Sequence, residues 1–242
     1  MLVFILVLGI GRAGAGSLPA SLSNGTPGPI TYTVYFPVIM RDYPLIRGPV
    51  GVQMYGAIND STGLREVREL HSGWIRVPLY WKNVEPSDTS PEYYNWASYD
   101  QSILNMYQSH IEPLINIDGT PRWASSVPED GPIDEEYLPD FAEFIWALVE
   151  RYDGDGIEDA PGSPVVRYWE FYNEPDNIYH WGYYGEQYAH MLSYIYPVVK
   201  SADPEARVVF GGVFNELRGY STAPHFLSLI HISEPTRLGM IS

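Results

Sequence analysis

The feature that most limits what this chain can fold into is an alternation. Five short runs rich in β-branched and aromatic residues are separated by four segments whose apolar residues recur at helical spacing. Strands are predicted over 50–58, 73–81, 111–119, 165–174 and 207–213. Helices are predicted over 61–71, 96–110, 135–152 and 185–201. Leu64, Val67 and Leu70 form one apolar stripe, and Ile103, Leu104 and Tyr107 a second. Leu138, Phe141, Ile145, Leu148 and Val149 form a third. Strands that alternate with helices in this way pair in parallel, because each helix carries the chain back to the start of the next strand. The pattern alone leaves a barrel and a doubly wound sheet open. No Gly-x-Gly-x-x-Gly follows the first strand, which counts against a dinucleotide-binding sheet.

Charge narrows the partners. Fourteen Lys and Arg stand against thirty Asp and Glu, a net charge of −16. Such a surface repels nucleic acid and anionic membranes. There is no cysteine, so disulfides and thiolate chemistry are excluded. Aromatic residues make up 14% of the chain, with 20 Tyr and 7 Trp. Their flat faces and polar handles suit sugar rings as well as a core.

The ends of the chain have a different character. Residues 1–10 (MLVFILVLGI) are apolar but too few for a membrane span, which takes about 20 residues. They resemble the apolar region of a secretory signal, with Ala13-Gly14-Ala15 as a cleavage site, although Arg12 follows the run where a basic segment should precede it. A secreted or cell-surface protein is the expectation. Residues 1–28 read as signal-like segment and linker, with Asn24-Gly25-Thr26 as a glycosylation acceptor. Residues 29–47 read as an extended segment, and 48–226 as the folded domain.

The chemistry concentrates at the end of the fourth strand. Pro164 and Pro175 bracket a dense apolar run, and Asn173-Glu174-Pro175 closes it. Pro175 cannot continue a central strand, so a carboxamide and a carboxylate are set side by side at its C-terminal lip. His180 and Trp181 follow within reach of the same cleft. Asp153, Asp155 and Asp159 form an acidic loop that resembles short calcium-binding loops, without the full spacing of an EF-hand. No cofactor is expected.

Several local patterns then coincide. Arg76 lies in the second strand, and residues 81–86 (WKNVEP) follow it. Thr120-Pro121-Arg122-Trp123 follows the third strand, and Asn173-Glu174-Pro175 ends the fourth. Together these resemble the clan A glycoside hydrolases, in the branches that hold β-xylosidases, β-galactosidases and endo-β-glucanases. The resemblance covers about residues 48–212. It implies an α/β (β/α)8 barrel of the TIM type that cleaves β-linked oligo- or polysaccharide with retention of configuration. It assigns Glu174 as acid/base, Asn173 as the ligand of the sugar 2-hydroxyl, and Arg76 as the group that orients the nucleophile. Trp81 and Trp123 become candidate sugar-stacking walls, with His180 and Trp181 lining the cleft. The family's nucleophile is a Glu at the end of the seventh strand. Five units occupy nearly all of this chain, where a full barrel takes about 250 residues. The expectation is therefore an incomplete barrel of about the first five strand–helix units, inactive by itself. Glu216, the nearest late carboxylate, falls two units too early. The alternative is a non-catalytic carbohydrate-binding TIM-barrel protein. Finally, Leu227 to Arg237 (LSLIHISEPTR) matches the translation of a transposase adapter used to build sequencing libraries. Residues 227–242 are expected to be read-through, which removes His231 and Glu234 as site candidates.

Overall fold

The computed structural model describes residues 50–127 and 131–213. The signal-like segment, the extended segment, Glu216 and the 227–242 tail lie outside them. Five strands form one sheet: β1 (Gly51–Gln53), β2 (Trp74–Tyr80), β3 (Glu112–Asp118), β4 (Tyr168–Phe171) and β5 (Arg207–Phe210). All adjacent pairs are parallel and the order is β1-β2-β3-β4-β5. A doubly wound sheet reverses its strand order at a switch point. Here it never reverses, so the alternative that the sequence pattern left open is settled as the winding of a barrel. The described residues carry five of a barrel's eight strands.

The crossovers carry α1 (Leu64–Glu69), the single turn α2 (Trp81–Val84), α3 (Ala97–Gln108), α4 (Leu138–Arg151) and α5 (Gly185–Ala202). Strand residues alternate between two faces. On one face Ile75, Val77, Leu79, Ile115, Ile117, Trp169 and Phe171 are buried. They share one apolar cluster with the helix stripes, among them Ile103, Met106, Phe141, Phe144, Leu148, Met191 and Ile195. Leu70 and Tyr107, expected on helix stripes, are exposed. Leu70 lies just past the end of α1 and Tyr107 in the last turn of α3, so each stripe is shorter than the sequence suggested.

Two prolines lie inside strands, and the register explains why both are tolerated. Arg76 O accepts from Met54 N, so the even-numbered residues of β2 face β1. Pro78 faces the same side, two residues past the last residue of β2 paired with β1. Glu112 N bonds Gly73 O, so Pro113 faces the β4 side, one residue before that pairing begins at Leu114. In both places the missing N–H has no ladder partner to lose.

Candidate active site

β4 is shorter than the run 165–174 predicted. It stops at Phe171 because Tyr172 takes a left-handed backbone, φ 59°. Glu174 is left-handed as well, φ 47°. A side chain with φ above zero is uncommon, and two of them within three residues mark a turn held by its surroundings. The Tyr172 ring is buried, with its hydroxyl 2.6 Å from Thr120 Oγ1 and its ring 4.9 Å from that of Trp181. Thr120 Oγ1 in turn donates to Gly131 O. The Asn-Glu-Pro triplet therefore sits on a turn at the C-terminal lip, clamped to the loop after β3.

Directly below lies a buried polar cluster on the second face of the sheet. Arg76 Nε donates to Glu170 Oε2 at 2.5 Å and Arg76 Nη2 to Glu170 Oε1 at 3.1 Å. Nη2 also donates to Asn173 Oδ1 at 3.0 Å, and Nη1 to Gln53 Oε1 at 2.8 Å. The side chains of Arg76 and Glu170 are 12% and 6% exposed. Gly212 N, just past β5, donates to Glu170 Oε1 at 3.1 Å. One guanidinium thus ties together β1, β2, β4 and the turn that carries Asn173 and Glu174, and Glu170 adds the end of β5. Asn116 lies in register with Glu170 on β3 and is 1% exposed. Its Nδ2 has no partner among the described residues.

The structure sorts the sequence candidates. Arg76 and Asn173 meet at the lip, with Glu174 next along the same turn. His180 joins them, its Nδ1 2.9 Å from Asn173 O and 3.3 Å from Glu174 O. Trp123 is half-buried and packs edge-on against Trp81 and Tyr137, with Nε1 donating to Glu85 O. Trp81 and Trp181 are 1% and 0% exposed. Both rings are enclosed by other aromatic rings, Trp81 by Phe141 and Phe144, Trp181 by Tyr172 and Tyr188. They offer no open face to a sugar. Arg76 was expected to orient a nucleophile, and here its fork is occupied by Glu170.

Sequence reasoning passed over Glu170, Gln53, Asn116 and Gly212. A signal for Glu170 was present. Arg76 in Trp-Ile-Arg-Val and Glu170 in Tyr-Trp-Glu-Phe are opposite charges in the middle of two strands with apolar neighbours. Charges in such places are buried only in pairs.

The turn Trp81–Val84 leads to a second acidic group. Glu85 is 2% exposed and accepts from Trp81 Nε1 at 2.7 Å. Burial pushes its carboxyl up to about 8. The indole N–H opposes this, and the Glu92 carboxyl beside it adds to it.

The acidic loop lies at the other end of the sheet, between α4 and β4. One carboxylate oxygen each from Glu150, Asp153 and Asp155 lies within 4.8 Å of the others. Asp159, expected as the third ligand, instead accepts from Gly156 N through Oδ2. Asp153 and Asp155 likewise each accept a backbone N–H two residues on, the local bonding that turns of Asp and Gly make without a metal.

With this geometry in place, comparison with known proteins is informative at the level of fold. No family model matches the chain, and no curated protein does. Solved structures do. A family 39 glycoside hydrolase from the gut symbiont Bacteroides cellulosilyticus WH2 is 25% identical with TM-score 0.54, over 70% of this chain and 32% of that one. A glucosidase from Croceicoccus marinus is 22% identical, TM-score 0.52, over 74% and 40%. A monomeric β-xylosidase from Caulobacter crescentus CB15 is 18% identical, TM-score 0.53, over 75% and 39%. The structural neighbours are clan A glycoside hydrolases. The chain matches about a third to two fifths of the length of these structures.

Proposed function

We propose that this chain carries the acid/base half of a retaining β-glycosidase site, built for β-linked oligo- or polysaccharide. The observation that carries the reading is the turn after β4, where a buried arginine orients Asn173 beside Glu174 at the C-terminal lip of a parallel, singly wound sheet. That lip is where barrels of this winding hold their chemistry.

Two steps follow from the resemblance and the chemistry of retention. A carboxylate attacks the anomeric carbon while the glycosidic C–O bond breaks, and Glu174 gives its proton to the leaving oxygen. Glu174, now a carboxylate, takes a proton from water as that water attacks the same carbon and releases the enzyme carboxylate. The two carboxyl groups must stand about 5–5.5 Å apart. Glu170 cannot serve as the second group, because both its oxygens are engaged by Arg76. The nucleophile comes from a later barrel strand, and the 242-residue chain alone does not hydrolyse glycosides.

The reading is tested in a protein that extends this chain through the remaining barrel units. Glu174→Ala should lower turnover of a natural β-glycoside at least about a hundredfold, the usual worth of a positioned general acid. Azide should restore turnover of an activated aryl glycoside and yield a β-glycosyl azide. An α-azide, the product of one direct displacement, would overturn the acid/base role of Glu174. Saccharide binding without any turnover by the unsubstituted protein would favour a carbohydrate-binding barrel instead.

A further inference from the structure

We propose that Glu170 is a positioning residue that fixes which atom of Asn173 faces substrate, acting through Arg76. The proposal deepens the reading above and rests on it for the sugar, but not for the relay itself.

An asparagine amide presents an acceptor and a donor that are nearly the same shape. Which one faces a cleft depends on what holds the other. Here Arg76 Nη2 donates to Asn173 Oδ1, so the oxygen is held inward and Nδ2 is left as the outward donor. A guanidinium can only donate, so this contact is incompatible with the flipped amide. The guanidinium is itself held in one plane. Nε and Nη2 form a fork on the two oxygens of Glu170, and Nη1 is held by Gln53. A two-point fork sets the orientation of an arginine as a single contact does not. Glu170 is also anchored at its far side by Gly212 N, so the end of β5 reports into the same relay.

The chemistry of the ligand follows. A cleft-facing Nδ2 recognises an oxygen lone pair, and a hydroxyl next to the reacting carbon supplies one. Without the carboxylate, Arg76 keeps its charge and loses the partner that fixes its plane. It is then free to rotate, and the Asn173 amide to flip.

Side-chain spectra of the 242-residue chain, labelled with 15N at Arg, Asn and Trp, test the relay without any substrate. In the unsubstituted chain the Asn173 Nδ2 pair is expected away from the free-amide position. Glu170→Gln should move it to that position, with the Trp169 indole signal unchanged as a check on the fold. Should that variant fail to fold, the double variant Glu170→Gln/Arg76→Met leaves no unpaired charge and should free the Asn173 amide in the same way. An Asn173 pair that either folded variant leaves in place overturns the proposal. In a protein with the remaining barrel units, preference for a β-glycoside over its 2-deoxy analogue should fall about tenfold in Glu170→Gln, the worth of one oriented hydrogen bond. An equal loss on both substrates would mean a structural role only. If the unsubstituted protein turns over neither, the glycosidase reading fails while the spectra still decide the relay.

Discussion

Arg76 and Glu170 show what a buried charge demands of its neighbours. Each is expensive to desolvate alone, and their bidentate contact offsets that cost only while both are present. Arg76→Met or Glu170→Leu should each destabilise the chain by about 3–5 kcal/mol, because each strands a buried charge. The double substitution should recover most of that loss. Urea unfolding of all four proteins measures this, and additive losses would show that the pair is not coupled. Glu85 makes the opposite case, a buried carboxyl with no cation bonded to it among the described residues. Its folded-state value, about 8, lies above the ordinary 4.5. The folded chain therefore holds a proton that the unfolded chain has released between those values, so stability from this group is full below about pH 4.5 and is lost as pH rises to 8. Unfolding free energy should fall from pH 5 to pH 8.5 through this group, and Glu85→Gln should flatten that slope. An unchanged slope in the variant would assign the dependence to other groups.

At the scale of elements, the approach of β5 to the end of β4 depends on one residue without a side chain. A Cβ on Gly211 would fall well inside contact distance of Tyr172 O and 2.8 Å from Phe171 O. Those atoms are backbone and belong to the turn that aims Asn173 and Glu174, so they cannot move away cheaply. Gly211→Ala should destabilise by more than about 2 kcal/mol, within the range of overpacking. Gly56→Ala meets no atom within 4 Å and carries only the strain of φ +74°, about 1 kcal/mol. Thermal melts of the two variants rank them, and equal shifts would mean the turn yields. The alternation and the crossovers were legible because each strand and helix has its own period in the apolar residues. The turn was legible only in part. Pro175 announced a stop, but the stop comes earlier, at Tyr172, because Thr120 and Trp181 hold that ring in a left-handed residue. No local propensity encodes such a contact. Trp81 and Trp181 were misjudged for a related reason: a tryptophan wall and a tryptophan core have the same sequence, and only the rings around them tell the two apart. The acidic loop was placed correctly between helix and strand, but Glu150 stands in its carboxylate group in place of Asp159, because the chain turns just past α4, with Asp153 N bonding Glu150 O, and brings Glu150 beside Asp153.

At the scale of the whole molecule, among the described residues β1 and β5 each have a neighbour on one side only. An unpaired edge is a template for another chain. On β5, Arg207 N bonds Arg167 O on the β4 side, so the N–H of Val208 points to the open side. Val208 and Phe210 are only partly buried, and both lie in the strand that would meet a partner. The 242-residue chain should therefore self-associate with a steep dependence on concentration. Val208→Pro gives a specific check, because it deletes a donor on the open side and removes no ladder bond to β4. Sedimentation velocity should show the unsubstituted chain shifting to larger species as concentration rises, and the proline variant staying nearer the monomer. The melting temperature of the variant should change little, since β4 keeps its pairing. If the variant associates as strongly as the parent, β5 is not the surface that pairs, and the next edge to block is β1, where Met54 N bonds Arg76 O and the N–H of Gln53 therefore points to the open side. The same substitution made in a protein with the following strands should instead be destabilising. There Val208 N–H would bond the sixth strand, and its loss would leave an acceptor unpaired inside a closed sheet. Opposite effects of one proline in the two contexts would show that the open side of β5 is the place where the barrel continues.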